Sequence, residues 1–444
     1  MESYIKITQF LLSLSLLIVL HELGHFLPAK LFKTRVEKFY LFFDYKFSLF
    51  KRKIGDTVYG IGWIPLGGYV KISGMIDESM DKEQLKKPPQ PWEFRSKPAW
   101  QRLIIMLGGV TVNFVLGIFI YIMMFNVWGD EYVGVNDVTH GFHVVEDFRE
   151  LGFENGDKIL KVDGEEPENV MDVNRHLFLR NVREIEVEHP DGDTEVIGIP
   201  EDIGYRMWQG GYLDPFTPRL PAVLDSVVPD SPAGLAGLEK GDRLKSIDGA
   251  PILFWDEFKE QVRNNENRVP MEVTVDREGR ELSFSIAPDE TQKMGIYPKV
   301  DMDEMLRVNQ REYSFAESIG PGFSRAYWTL ADYMSQFKYV FTKKGASSLG
   351  GFITIGSIFP STWNWESFWS ITALLSIMLA FMNLLPIPAL DGGHVVFTLF
   401  EMISGRKPSD KFLEYAQIIG FVILVSLLLF ANGNDIYKWI TGQL

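Results

Sequence analysis

The chain has 444 residues, a formal net charge of −15 and no cysteine. That length leaves room for more than one domain. Without cysteine there is no disulfide and no cysteine-ligated zinc, and no nucleic-acid partner is expected of so acidic a chain. The mean hydropathy of −0.01 averages two unlike populations. Four stretches, roughly 4–27, 102–128, 367–389 and 414–432, reach the ~20 apolar residues that a bilayer span needs. A long acidic segment separates the second from the third.

The first stretch is too long for a cleaved signal peptide and lacks a small-residue cleavage site. It ends in "LHELGHF". Residues i and i+4 share a helix face, so His21 and His25 can reach one metal, with Glu22 placed to take a proton from water. The bland alternative is histidines satisfied by backbone near a helix end. In lipid that alternative is poor, because unpaired ionisable side chains there cost several kcal/mol and usually face a protein interior. A basic segment, "AKLFKTRVEKFYLFFDYKFSLFKRK", follows and marks the cytoplasmic side. Next, "DTVYGIGWIPLGGYVKISGM" (56–75) alternates and reads as strands with tight turns at Pro65-Leu66-Gly67-Gly68. The second span carries Asn113 about ten residues in, ~15 Å deep at 1.5 Å per residue. An interhelical hydrogen bond there competes with a substrate contact.

From Asp130 to Lys299 there are 37 acids against 18 Lys and Arg, so the positive-inside bias does not hold this segment in the cytoplasm. Both termini are expected on the same outer side. Two copies of one module lie within it: "LGFENGDKILKVDG" (151–164) and "AGLEKGDRLKSIDG" (236–249) align without gaps, 85 residues apart. Gly-Asp marks a turn, the run after it a strand, and Asp-Gly a hairpin. The second copy adds a strand–turn–strand around Arg277-Glu278-Gly279. The form resembles a circularly permuted PDZ domain, which takes a peptide as an added strand and holds its carboxylate on backbone N–H groups. The loop Gly210-Gly211-Tyr212-Leu213, expected just before the second module's first strand, is either that carboxylate site or a plain tight turn. His140, His143, His176 and His189 lie in this segment, and the loop-like or strand-like flanks of His140 and His143 read as those of surface histidines. The aromatic stretch 314–344 is expected to be in part an interfacial amphipathic helix that supports the modules.

The third span runs inward to "NLLPIPALDGGH" (383–394). Pro386 and Pro388 break the helix, leaving Asp391 and His394 at a membrane boundary. A catalytic zinc needs a third protein ligand and one open position, and by chemistry alone either residue serves. Depth agrees: His21 lies ~24 Å into the first span and Asn383 ~22 Å into the third, within a ~30 Å hydrocarbon core. Unwound backbone at that depth is tolerated only where it is buried in protein or lines a wet cavity.

His21-Glu22-x-x-His25, Asn383-x-x-Pro386-x-Pro388-x-Leu390-Asp391-Gly392 and the doubled module together resemble the site-2 protease family of intramembrane zinc metalloproteases. The resemblance covers nearly the whole chain. It implies one catalytic Zn2+ on His21, His25 and Asp391, not His394, with Glu22 as general base. It implies substrate or oxyanion contacts at Asn383, and substrate contacts at Asn113 and at Gly67-Gly68 of a membrane-associated β-hairpin. An exposed strand edge there would supply backbone partners to an unwound substrate. Gly109 is followed by Val110 where the family usually has Gly-Pro, and "SLGGFITIGSIF" (348–359) lacks another common Gly-Pro.

The expected fold is therefore a multi-pass α-helical membrane protein with four transmembrane helices, a membrane-associated β-hairpin and two extracytoplasmic PDZ domains. The expected divisions are a first span 1–30, a cytoplasmic loop with the hairpin 31–98, a second span 99–128, PDZ domains 129–205 and 206–290, an interfacial region 291–365, a third span 366–395, and 396–444 with a loop and the last span. The implied partners are the lipid bilayer, single-span substrates such as an anti-sigma factor and remnant signal peptides, and an upstream site-1 protease acting in sequence. The implied location is the bacterial inner membrane, and the absence of a transit peptide before the first span agrees. The rival reading is a catalytically inactive PDZ-bearing membrane scaffold or a metal-binding membrane protein. A metal carrier, however, needs neither Glu22 between its histidines nor an Asp-Gly on a broken helix.

Overall fold

The computed structural model describes residues 2–65, 67–75 and 88–442, without the side chains of Lys343 and Asp410; Leu66 of the expected turn lies outside these. The chain divides into two compact units, Met1–Gly129 with Glu312–Leu444, and Asp130–Arg311. The first opens with helix α1, Glu2–Leu31, about 45 Å long at 1.5 Å per residue. Where a hairpin was expected, a four-stranded sheet follows: β1 Val36–Leu41, β2 Phe50–Ile54, β3 Thr57–Ile61 and β4 Tyr69–Ile72, in the order β2-β3-β1-β4. The five residues of β2 are all exposed, which is why their basic sequence hid a strand. Phe26 of α1 packs edge-on against Phe39 and Tyr59, and Lys30 Nζ donates to Thr57 Oγ1 at 2.9 Å. These contacts clamp the sheet to the end of α1. Helix α2, Ala99–Trp128, then runs back until Gly129 stops it at φ +76°, a conformation that favours glycine.

The second unit holds two modules with separate cores. Strands β5 Asp130–Tyr132, β6 Phe142–Val144, β7 Lys158–Val162, β8 Glu184–Glu188, β9 Thr194–Gly198 and β10 Phe216–Pro218 belong to the first. Strands β11 Leu224–Val227, β12 Arg243–Ile247, β13 Ala250–Pro251, β14 Met271–Arg277, β15 Arg280–Ile286 and β16 Ile296–Pro298 form the second. Their sheets run β7-β8-β9 and β13-β12-β14-β15. The expected strands and turns of the repeat are present. Asp163-Gly164, Asp248-Gly249 and Glu278-Gly279 all have positive φ, as a two-residue type I′ hairpin turn demands.

The module boundary differs from the expected 205/206. Phe216–Pro218 pairs with Phe142–Val144, and Phe216 is fully buried in the first core. Each module is closed by a late strand returning to an early one, since β16 pairs with β11 in the same way. A buried Phe contributes about 1.5–3 kcal/mol, so Phe216 holds the segment before it in module one. Residues 291–311 likewise belong to this unit rather than to an interfacial region: Met305 and Leu306 join the first core, and β17, Asn309–Arg311, pairs with β5.

The chain returns as α3 Phe315–Val340, α4 Trp365–Leu384, α5 Asp391–Ser404 and α6 Asp410–Ile440. Among the described residues, four helices are long and apolar enough to cross a membrane: α1, α2, α4 and α6. The stretch expected to be in part an amphipathic helix forms one 26-residue helix, α3, started by a Ser314/Glu317 capping box. It packs lengthwise on α2 and α4. Gly322 meets Ile122, Thr329 Oγ1 donates to the Tyr121 hydroxyl at 3.2 Å, and Tyr333 and Phe337 meet Phe381 edge-on. Small residues let helices approach closely, and that need outweighed the stretch's scattered charge. The segment without the common Gly-Pro is tied to α6, where Asp435 accepts from the Ile353 and Thr354 amides at 2.9 and 3.0 Å.

The Gly-Asp aspartate of the repeat is fully buried in both copies, as Asp157 and Asp242. Each caps its own turn, accepting from Glu154 N or Glu239 N. The partner cation differs: Arg277 holds Asp242 through two nitrogens at 2.6 and 2.7 Å, whereas His189 Nδ1 lies 2.8 Å from Asp157. The Asp157 hydrogen bond raises the His189 pKa, so its stabilisation is complete below its unfolded value near 6.5 and is lost as pH rises through the higher folded value. Burial raises the Asp157 carboxyl above 3.8, with the same sign in a more acidic window. Hydrogen-exchange protection of β8 is therefore expected to fall as pH rises above about 6.5 by more than intrinsic exchange accounts for. In His189→Arg that excess is expected to vanish; an equal excess in both proteins refutes the coupling.

Candidate metal centre

The site forms where α1 crosses α2 and the end of α4 comes level with both. A Cβ on Gly24 would stand 2.4 Å from the Gly108 carbonyl oxygen, and one on Gly108 1.9 Å from that of Gly24. Only glycines permit this contact. It sets the α1 histidines against Gly109, whose Cβ would lie 2.4 Å from His25 Nε2 and 2.7 Å from His21 Cε1. Helix α4 runs parallel to α1. Ser13 and Thr372 share a 2.9 Å hydrogen bond, and further along Asn383 Nδ2 comes within 3.4 Å of His21 Nε2. Helix α4 stops at Leu384. The turn through Pro386 and Pro388 carries Ala389 at φ +79°, and Asp391 opens α5.

This brings together three of the sequence candidates. His21 Nε2 and His25 Nε2 are 3.2 Å apart, and Asp391 Oδ2 lies 3.2 and 3.3 Å from them. Among the described residues this is the one group of His, Cys, Asp or Glu so arranged that it could hold a metal ion. The donor set suits zinc: tetrahedral bonds of about 2.0–2.1 Å place ligand atoms about 3.3–3.4 Å apart. Asp391 Oδ2 is buried without a hydrogen-bond partner, as expected of an oxygen that faces a cation. His25 Nδ1 is 2.8 Å from the Ile105 carbonyl oxygen. A carbonyl only accepts, so Nδ1 carries the proton and Nε2 offers its lone pair.

Glu22 receives a backbone hydrogen bond from Val70 of β4. It lines a cleft of about 760 Å³ with the three converging groups, Gly67, Gly68, Asn383 and His394. β4 is an edge strand whose four residues also line the cleft.

A family model described as peptidase family M50 matches residues 9–427. The chain belongs to peptidase family M50. It is similar to regulator of sigma-E protease RseP of Escherichia coli K12, with 29% identity over 97% of this chain and 98% of that one. It is also 28% identical to a Neisseria meningitidis protein classed by name among zinc metalloproteases, over the same shares. The HtrA3 PDZ domain bound to a phage-derived ligand aligns with 16% of this chain and 64% of its own, at 30% identity and a TM-score of 0.15. The resemblance to site-2 proteases, which are M50 peptidases, is borne out.

Other sequence candidates of this M50 peptidase fall differently. His394 is on the cleft wall one helical turn beyond Asp391, outside the converging group. Asn113 is fully buried between helices, its Nδ2 3.3 Å from His21 Nδ1. Gly68 leaves no room for a side chain: a Cβ would stand 2.5 Å from Ile18 Cγ2 and 3.5 Å from Glu22 Cγ. The Gly210–Leu213 loop is not a carboxylate cradle of the second module. Gly211 and Tyr212 both donate their amides to Met207 O, ending a helix of the first module, and the Tyr212 hydroxyl bonds Asp147. Those donors are spent. His140 and His143, expected on the surface, are half-buried, as are His176 and His189. Sequence reasoning passed over Gly24 and Gly108, whose signal was small residues in apolar helices.

Asp391→Ala is expected to lower zinc content and stop cleavage in purified protein, while His394→Ala keeps most of the metal. The reverse pattern, read by elemental analysis, would make this a three-histidine site.

Proposed function

We propose that this chain is an intramembrane zinc endopeptidase that cuts membrane-spanning segments of single-span proteins. The observation that carries this reading is the converging His21–His25–Asp391 group, with Glu22 beside it, inside a cleft walled by the edge strand β4. The three groups would hold Zn2+. When bound, zinc supplies a Lewis acid that polarises a carbonyl and lowers the pKa of water toward ~7. β4 binds the substrate as an added extended strand, giving its backbone the partners it loses on leaving its own helix. Glu22 takes a proton from the attacking water as oxygen bonds to the peptide carbon. It then gives that proton to the leaving nitrogen as the C–N bond breaks. Asn383, at the rim of the cluster, donates to the carbonyl oxygen as charge develops there.

The substrates in this proposal are an anti-sigma factor already cut by an upstream site-1 protease, and remnant signal peptides. The setting is the bacterial inner membrane, with the acidic Asp130–Arg311 unit extracytoplasmic by the positive-inside bias. We read its two sheet-and-helix modules as PDZ domains that regulate entry and take no part in the chemistry.

Glu22→Gln keeps the shape but not the base. It is expected to retain zinc and lose activity by about 10²–10⁴-fold, the usual worth of general acid–base catalysis. Metal and cleavage of a tagged single-span protein are measured on one sample. Near-normal turnover refutes the base, and no cleavage by the wild type supports a scaffold instead.

Replacing Asp130–Arg311 with a short linker is expected to leave short-tailed substrates cleavable and to admit untrimmed ones. A zinc-loaded, correctly inserted deletion that cuts neither form refutes the gate.

A further inference from the structure

Of the two histidines, only His25 has its protonation state decided by a partner that can do nothing but accept, the Ile105 carbonyl. The corresponding nitrogen of His21 faces the carboxamide of Asn113, with Nδ2 at 3.3 Å. In that orientation the amide donates to Nδ1, which forces the proton of a neutral His21 onto Nε2. There it would point at His25 Nε2 and Asp391 Oδ2, 3.2 Å away. A ring in that tautomer cannot ligate a metal through Nε2.

Asn113 Oδ1, meanwhile, is buried without a hydrogen-bond partner among the described residues, on a residue with no exposed surface. The oxygen and nitrogen of a carboxamide exchange places by a half-turn, and the surrounding network decides between them. Either orientation leaves one of the two amide atoms unsatisfied, so that cost cancels. What differs is the tautomer of His21. Two further contacts hold Asn113 in position. Ser376 Oγ of α4 donates to its main-chain oxygen at 2.7 Å, and Gly109, one turn earlier on α2, receives the two imidazoles.

We infer that Asn113 is a positioning residue for the metal site: its carboxamide oxygen accepts the Nδ1–H of His21 and holds that ring with Nε2 free toward Asp391. Both imidazoles are then oriented from α2, His25 by a main-chain carbonyl and His21 by a side chain one could mutate. This role acts through His21, and it replaces the substrate contact expected of Asn113. The inference rests on the zinc reading proposed above.

The test is made on the full chain in lipid nanodiscs. Zinc affinity is measured by competition with a chelator, and the site geometry by visible absorption after cobalt substitution. Asn113→Leu removes the acceptor at similar volume. It is expected to weaken zinc binding by about 10–100-fold, the usual cost of losing an outer partner of a ligating histidine, and to alter the cobalt spectrum. Asn113→Asp keeps an acceptor but cannot donate, and is expected to hold zinc within about threefold of wild type with an unaltered cobalt spectrum. Unchanged affinity in Asn113→Leu overturns the inference. So does equal weakening in both variants, because the amide nitrogen, not the oxygen, is then the part that matters. A wild type that binds neither metal overturns the zinc reading itself and the inference with it. Because the aspartate variant is expected to keep the metal, misfolding of the leucine variant alone does not shelter the inference.

Discussion

The contact of α1 with α2 at Gly24 and Gly108 is the constraint from which the rest of the site follows. Backbone meets backbone there, with no space for a single Cβ. In a membrane, helices gain little from apolar burial against each other, so close packing of small residues holds them together. The approach carries His21 and His25 onto α2, where Gly109 gives them room and Ile105 and Asn113 face their Nδ1 atoms. A larger residue at either glycine would separate the two histidines from Ile105 and Asn113. The second helix thus lines the candidate metal site without belonging to its converging group.

The third converging group comes from a break. A continuous α4 would carry Asp391 past the histidines and leave no unwound backbone beside the cleft. Pro386 and Pro388 end the helix, and the turn folds back so tightly that a Cβ on Gly392 would lie 2.3 Å from the carbonyl oxygens of Leu384 and Leu385. Opposite stands β4, which among the described residues is the edge strand of a sheet clamped to α1. On the proposed function, a hydrolytic group and a strand edge in one cleft would answer two separate problems of cutting a helix in lipid: delivering water and unwinding the target.

The Asp130–Arg311 unit shows how one repeat can be built twice with different electrostatics. Asp157 and Asp242 occupy the same buried corner and cap the same turn. One is held by a titratable histidine and the other by a permanently charged arginine. The two modules also meet through a buried pair, Arg219 with Asp256, at 2.8 Å. Arg219 also bridges Glu257 at 2.7 Å, so it is loss of the arginine that would leave Asp256 buried without its main partner, at about 3–5 kcal/mol.

Much of the site was legible before any fold was known. Three ionisable groups in an apolar helix at i, i+1 and i+4, and an Asp-Gly after a Pro-x-Pro break, are costly in lipid and have few purposes. Helical periodicity alone puts His21 and His25 on one face. The hairpin turns were equally legible, because Asp-Gly and Glu-Gly sequences meet a local need for positive φ. What the chain could not reveal locally were pairings between distant segments: β10 with β6, β16 with β11, the exposed basic strand β2, and the lengthwise packing of α3. Each depends on a partner far along the chain, and the 14-residue match between the modules stopped short of their closing strands. The choice between Asp391 and His394 was of the same kind. Both residues are sound ligands by chemistry, and only the packed direction of the turn after α4 decides which one faces the two imidazoles.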